Sequence, residues 1–286
     1  MEYKKIELDK KTKFIMKKFA VVGRPISHSL SPKIHHEFAK QCNIKISYEA
    51  VEIEEDFEST IKEMFASGYD GINVTIPFKE KAFQLADQIY SKYKTLGAVN
   101  TLWQKNRKIF ADSTDGLGFI NDLKNNSISI KDSTLLIVGA GGSARSILPS
   151  IIEKEPKQVV IINRTLAKAE ALTGLFDQSK VTVSISSLTD IIRTKITGVI
   201  NTSSAGLLGE KIILPEGVFE SAQWVYDLSY SKQITTFNSL AREGGIEAYF
   251  DGLGMLVFQA AASFEIWTGM KPNAEKTLSY LKGALN

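Results

Sequence analysis

Short uncharged apolar runs alternate along most of the chain with stretches whose apolar residues recur at helical spacing. This pattern predicts strands each followed by a helix, and hence mainly parallel sheet. Phe19-Ala20-Val21-Val22-Gly23 predicts the first strand. Pro32 opens a helix with Ile34, Phe38 and Cys42 on one face, and Ser31 is its expected N-cap. Tyr48 to Ile53 predicts a second strand, and Phe57, Ile61, Met64 and Phe65 an amphipathic helix that Gly68 stops. Gly71 to Ile76 reads as a third strand, turning at Pro77-Phe78-Lys79-Glu80 into another helix. Ala98 to Trp103 and Lys108 to Ala111 flank a polar turn at Lys105-Asn106 and predict a hairpin.

The most informative stretch runs from Ser133 to Arg145. An apolar strand leads straight into Gly139-x-Gly141-x-x-Ala144, and helix-compatible sequence continues to Ile151. Gly139 lets the chain turn sharply off the strand, Gly141 removes the Cβ that would obstruct a pyrophosphate, and Ala144 allows close helix–strand packing. The free N–H groups of the helix start then face an anion. The next strand, Gln158 to Ile162, ends at Asn163-Arg164-Thr165. An NAD site carries Asp or Glu near that point; Arg164 instead offers a cation suited to a 2′-phosphate, so the expected cofactor is NADP.

Val181 to Ile185, Gly198 to Asn201, Trp224 to Leu228 and Gly245 to Ala248 are the remaining strand candidates. Two end in polar clusters, Asn201 to Gly206 and Asp227-Leu228-Ser229-Tyr230, expected on the cofactor side. The helix opening at Gly252 is apolar nearly all round through Phe264, Ile266 and Trp267, so it should be buried. The amide of Gln259 then needs a partner, either core backbone or a bound polar ligand.

Composition narrows the field. A chain of 286 residues, 43% hydrophobic, is long enough for about two domains. The net charge of +3 is mild, and much of the lysine excess lies in Met1 to Lys18, which reads as a solvated tail without the apolar segment of an export signal. No run approaches a membrane span, and no basic stripe with interleaved aromatics suggests nucleic acid. Cys42 is the only cysteine, which fits a reducing cytoplasm. The three histidines, His28, His35 and His36, have no Asp or Cys placed with them, so no metal site is expected. Ser27, Ser29 and Ser31 crowd the loop after the first strand, where hydroxyl and carboxylate groups of a ligand could be recognised. Asp112-Ser113-Thr114-Asp115-Gly116 reads equally as a turn with an Asp capping a helix near Gly116 or as catalytic machinery; a domain boundary is expected near Asp115.

Taken together these segments resemble the shikimate dehydrogenase family, over almost everything from Phe19 to Trp267. Carrying the resemblance are Gly23-x-Pro25-Ile26-x-His28-Ser29-x-Ser31-Pro32, Asn73-Val74-Thr75-Ile76-Pro77-Phe78-Lys79, Gly97-Ala98-Val99-Asn100-Thr101, Thr114-Asp115-Gly116, the glycine turn, Asn163-Arg164-Thr165 and Gly252-x-Gly254-Met255-Leu256-x-x-Gln259-Ala260. The resemblance implies an α/β protein in which a substrate domain (residues 1–115 and 252–286) is interrupted by a Rossmann-like NADP-binding domain (116–251), with a cleft between them. It implies reversible reduction of 3-dehydroshikimate by NADPH, with Lys79 and Asp115 as the acid/base pair. Ser29 and Ser31 would bind the ring carboxylate, and Thr75, Asn100 and Gln259 the ring hydroxyls, with Asp115 and Tyr230 completing the substrate set. The cofactor set is Gly139, Ala140, Gly141, Gly142, Ser143, Ala144, Asn163, Arg164, Thr165, Lys168, Thr202, Leu228, Gly252 and Met255. The implied partner is a small molecule, with no nucleic acid or membrane, the chain working as a monomer or homodimer.

A lysine beside the carbonyl suits this chemistry, because the alkoxide left by hydride addition needs charge stabilisation and a proton as it forms. Ser113 stands where Asn is usual in the family, Arg24 where a smaller polar residue is usual, and the loop from Asn201 to Leu207 is altered; these departures bear on cofactor affinity and on the choice among related hydroxy acids. Rival readings are a quinate/shikimate dehydrogenase with relaxed cofactor use and a ligand sensor that keeps the fold without turnover. The presence of both Lys79 and Asp115 argues against the sensor. An enzyme like methylenetetrahydrofolate dehydrogenase shares the architecture and lacks the serine loop.

Overall fold

The apolar runs assemble into two six-stranded sheets whose faces the helices cover. The computed structural model describes residues 16–90, 94, 97–176, 179–190, 194–206 and 208–285; the expected tail lies outside them up to residue 15. In the first sheet β1 (Lys17–Gly23) pairs in parallel with β2 (Ile46–Glu52) and β3 (Gly71–Val74), through crossover helices α1 (Ser31–Gln41) and α2 (Phe57–Ala66). Lys17 and Lys18, read from the sequence as tail, pair with Ile46 and Ser47. Beyond α3 (Lys79–Leu85) and β4 (Gln88–Ile89), the hairpin of β5 (Thr101–Lys105) and β6 (Lys108–Asp112) joins antiparallel to β3. Its turn falls on Asn106 and Arg107, both at positive φ (52° and 60°), one residue later than expected; such left-handed pairs match the twist of a two-residue hairpin.

α4 (Asp115–Asn125) leads into the second sheet, whose strands β7 (Thr134–Val138), β8 (Gln158–Ile162), β9 (Thr182–Ser186), β10 (Gly198–Asn201), β11 (Trp224–Asp227) and β12 (Tyr249–Phe250) all run parallel in the order β12-β11-β10-β7-β8-β9. This is the doubly wound Rossmann order, and its switch point lies between β7 and β10. Helices α5 (Gly142–Ile152), α6 (Leu166–Thr173) and α7 (Thr236–Glu243) pack on it. The chain then returns through α8 (Leu253–Thr268) and α9 (Ala274–Leu285) to the first sheet. Among the described residues no helix is long and apolar enough to cross a membrane.

α8 is apolar on most faces because it lies between two cores. Leu253, Val257, Ala260, Phe264 and Trp267 are buried with Phe19, Val21, Ile34 and Phe38, while Met255 joins Phe119, Leu123 and Tyr226 under the second sheet. α4 crosses α8 in close contact. A Cβ on Gly118 would lie 2.7 Å from the Gln259 Cβ and the Met255 carbonyl, and one on Gly254 only 2.0 Å from a carboxylate oxygen of Asp122.

Several local expectations are corrected. Ser31 does not cap α1: Leu30 holds the N-cap position, and the Ser31 N–H donates to Ser29 Oγ at 3.3 Å. β3 stops at Val74 because Thr75 to Phe78 form a turn in which the Phe78 N–H bonds the Thr75 carbonyl, and Pro77 has no N–H to continue a ladder. Asp115 is the first residue of α4, and Thr114, at its N-cap, makes no side-chain cap bond. Gly245 to Ala248 is not a strand. Gly245 adopts φ +89° and, with Ile246, closes the C-terminus of α7 onto the carbonyls of Arg242 and Ala241, so the pairing with β11 begins only at Tyr249.

Candidate active site

Lys79 opens α3 just past the turn that ends β3, and Asp115 opens α4 just past β6. β3 and β6 flank β5 in the sheet and both run antiparallel to it, so their carboxyl ends share one edge and bring the two residues together: Lys79 Nζ donates to Asp115 Oδ2 at 2.6 Å, with both side chains nearly buried. The other carboxylate oxygen accepts from Asn100 Nδ2 at 2.9 Å, which also lies 2.9 Å from Gln259 Oε1. Gln259 Nε2 donates to the Leu256 carbonyl, so this amide finds core backbone and side-chain partners together. The Thr114 N–H donates to Asn100 Oδ1 at 2.8 Å, which fixes the amide with its NH2 toward Asp115.

The substrate candidates of the serine loop adjoin this network. Ser31 is buried against the Tyr48 hydroxyl, and Tyr48 donates to Asn73 Oδ1 at 2.8 Å. Burial raises the Tyr48 pKa well above its usual value, so it remains a phenol. Tyr230, in the loop after β11, reaches across to the Leu30 backbone between Ser29 and Ser31 and packs on the core of the first sheet; burial raises its pKa too. Thr75 is half-buried at the end of β3, its backbone N–H bonded to Val22. The histidines diverge. His36 meets the Pro32 carbonyl at 2.6 Å on the surface, His28 is exposed, and His35 is wholly buried, stacked on Tyr48 at a centroid distance of 4.1 Å.

A cavity of about 490 Å³ runs from Lys79 of this pair to the second sheet; Lys79, Ile76, Pro77 and Glu80 line one side, and Gly139 to Ser143 the other. Gly139 adopts φ +108°, and a Cβ there would sit 2.7 Å from Thr202 Oγ1, so glycine is required on both counts. The Ala140 N–H donates to Asn163 Oδ1, tying the glycine turn to the end of β8. Arg164, Thr165 and Lys168 line the far end, where Arg164 is 81% exposed and meets Glu210 at 3.2 Å.

These residues fit a dinucleotide. Cβ atoms on Gly141 and Gly142 would meet nothing within 4 Å, and no side chain caps the start of α5, so its N–H groups face open space of the size a pyrophosphate needs. Arg164 and Lys168 supply cations where a 2′-phosphate would lie.

Four of the expected cofactor residues do not line the cavity. Ala144 is fully buried under the turn and Met255 belongs to the core. Leu228 and Gly252 meet backbone to backbone, a Cβ on Gly252 lying 1.9 Å from the Leu228 carbonyl oxygen. Ser203 and Ser204, from the polar cluster expected on the cofactor side, line the cavity, as do Glu210, Lys211 and Ile213, which the sequence did not single out; Thr101 and Thr114 join the buried network together with Ser263, also not singled out. Ser263 had one available signal, its place one turn after Gln259 on an apolar helix.

A Rossmann sheet whose glycine turn opens onto the same cavity as a buried lysine–carboxylate pair is the arrangement of a nicotinamide-dependent oxidoreductase. Family models describe the same chain in three pieces: the shikimate dehydrogenase substrate binding domain over residues 21–102, shikimate/quinate 5-dehydrogenase over 122–235 and the shikimate 5′-dehydrogenase C-terminal domain over 252–278. A protein of Legionella pneumophila subsp. pneumophila named shikimate dehydrogenase (NADP(+)) is 42% identical over 271 residues, covering 94% of this chain and 99% of its own. Among solved structures, an Ael1 enzyme from Pseudomonas putida superposes with a TM-score of 0.84 at 36% identity, over 93% of this chain and 98% of that one. A shikimate dehydrogenase solved in complex with NADP+ gives 0.82 at 29%, over 95% and 96%. The chain belongs to the shikimate dehydrogenase family.

Proposed function

We propose that the protein catalyses the reversible NADPH-dependent reduction of 3-dehydroshikimate to shikimate, a step of the shikimate pathway to chorismate and the aromatic amino acids. The observation that carries this reading is the 2.6 Å contact between Lys79 and Asp115 at the edge of the cavity that the glycine turn also lines. Bound NADPH supplies a hydride to the ring ketone. Lys79, beside the ketone oxygen, stabilises the charge that develops there, and the Lys79–Asp115 pair delivers the proton; in the oxidative direction the pair takes it back. Asn100 holds Asp115 with one amide hydrogen and turns the other toward Gln259 Oε1 and Thr114 Oγ1; a ring hydroxyl binds beside this pair of amides by taking over the Asn100–Gln259 contact, with Thr75 next to it. Ser29, Ser31 and Tyr230 bind the carboxylate side. Gly139 to Ser143 cradle the pyrophosphate, and Arg164 and Lys168 take the 2′-phosphate, with Glu210 leaving Arg164 to make room.

The substrate domain comprises residues 1–115 and 252–286, and 116–251 form the NADP domain; the burial of α8 with β1 and α1 supports this division. The free Cys42 fits a reducing cytoplasm. The test is purified protein with shikimate or quinate, each with NADP+ or NAD+, following reduced nicotinamide. Turnover is expected chiefly with shikimate and NADP+. Comparable rates with quinate and NAD+ would mean a broader dehydrogenase, and binding without turnover a sensor.

A further inference from the structure

Behind the Lys79–Asp115 pair lies a line of buried polar groups, none of which lines the cavity. Ser263 sits at its centre, fully buried on α8, with Oγ 2.8 Å from Thr101 Oγ1, 3.0 Å from Asn73 Nδ2, 3.1 Å from Thr114 Oγ1 and 3.2 Å from the Gln259 carbonyl. Its donors and acceptors can be ordered from the fixed ends. Tyr48 donates to Asn73 Oδ1, so the Asn73 amide nitrogen faces Ser263 and donates to it. Asn100 Oδ1 is an acceptor, held by the Thr114 N–H, and Thr101 Oγ1 donates to it at 3.0 Å; in that arrangement Thr101 can only accept from Ser263, whose one hydroxyl proton goes to it over 2.8 Å in preference to the Gln259 carbonyl at 3.2 Å. Asn100 Nδ2 then donates to Asp115. The bonds run one way, Tyr48 to Asn73 to Ser263 to Thr101 to Asn100 to Asp115, and bonds aligned in this sense polarise one another in a dry interior.

We infer that Ser263 is a positioning residue: through Thr101 it fixes the orientation of the Asn100 amide, and through Asn100 it aims Asp115 at Lys79. The inference rests on the catalytic reading of that pair. Without the hydroxyl, the direct contact left between Asn73 and Thr101 is longer, at 3.3 Å, and Thr101 is free to rotate away from Asn100.

The experiment measures kcat/KM for shikimate with NADP+ in the unsubstituted protein, Ser263→Ala, Ser263→Thr, Asn100→Ala and the Ser263→Ala/Asn100→Ala double variant. Ser263→Ala is expected to lower kcat/KM about tenfold, the loss that one oriented hydrogen bond accounts for. Ser263→Thr, which keeps the hydroxyl, should recover most of it. With Asn100 already truncated, Ser263→Ala should change kcat/KM less than twofold, because the route to Asp115 is gone. A tenfold loss in both backgrounds, or no loss in either, overturns the inference. If Ser263→Ala does not fold, the near-isosteric Ser263→Cys, a weak donor, takes its place in the same cycle. Absence of shikimate oxidation in the unsubstituted protein would count instead against the catalytic reading itself.

Discussion

Replacing His35 by phenylalanine is expected to make the protein resist mild acid better than the parent. The imidazole is wholly buried, stacked on Tyr48 and flanked by Phe38, Phe264 and Trp267, and neither ring nitrogen has a hydrogen-bond partner among the described residues. Burial lowers its pKa from 6.5 to about 3, a shift that the nearby Asn73 amide only partly offsets. A folded-state pKa below that of the unfolded chain means that the unfolded chain takes up a proton that the native state refuses. Stability is therefore intact above about pH 6.5 and falls as the pH drops below it. Each pKa unit corresponds to roughly 1.4 kcal/mol, so passing from pH 7 to pH 5 removes about 2 kcal/mol through this one group. Asp122, Asp227 and Asp251, whose pKa values burial pushes up, act in the opposite sense but are common to both proteins and cancel in the comparison. Urea unfolding of parent and His35→Phe at the two pH values gives the double difference directly. A pH-dependent loss as large in the variant as in the parent would show that His35 does not carry this acid sensitivity, whatever the substitution does to stability at pH 7.

Two other substitutions probe the cofactor site and the helix crossing. Arg164→Gln should raise the dissociation constant of NADP+ by about ten- to a hundredfold and leave that of NAD+ nearly unchanged, since a charge-assisted bond to the 2′-phosphate is lost; calorimetric titration with both nucleotides checks it. Gly118→Ala drives a methyl into the backbone and Cβ of Gln259, so unfolding should become easier by about 1–3 kcal/mol, and shikimate affinity should fall with the displaced amide; denaturant midpoints and a binding titration separate the two effects.

What the sequence made legible follows from where local rules suffice. The second sheet could be read strand by strand because parallel strands covered on both faces are continuous apolar runs, as in Leu135 to Val138 and Val159 to Ile162. It failed at Gly245 to Ala248, where the apolar Ile246 seals the end of α7 instead of extending a strand. Periodicity announced that α8 is buried, but it could not say which residue faces which core, and Met255 turned out to pack with the second core beside Phe119 and Tyr226. Ser263, Thr101 and Thr114 were invisible as a group because they come from a helix, a strand and a turn distant in sequence, and an isolated hydroxyl in an apolar helix carries no sign of what it will touch. Glu210 lies in a loop with no period at all.

The claim on which the account depends is that Lys79 acts on the reacting oxygen and does not merely hold the substrate. The direct measurement is the steady-state kcat of Lys79→Ala with shikimate and NADP+, set beside the shikimate dissociation constant of the same variant. If Lys79 acts on the reacting oxygen, kcat falls by about a hundredfold or more while the dissociation constant changes less than about threefold. Equal losses in both would contradict it and leave Lys79 a binding residue.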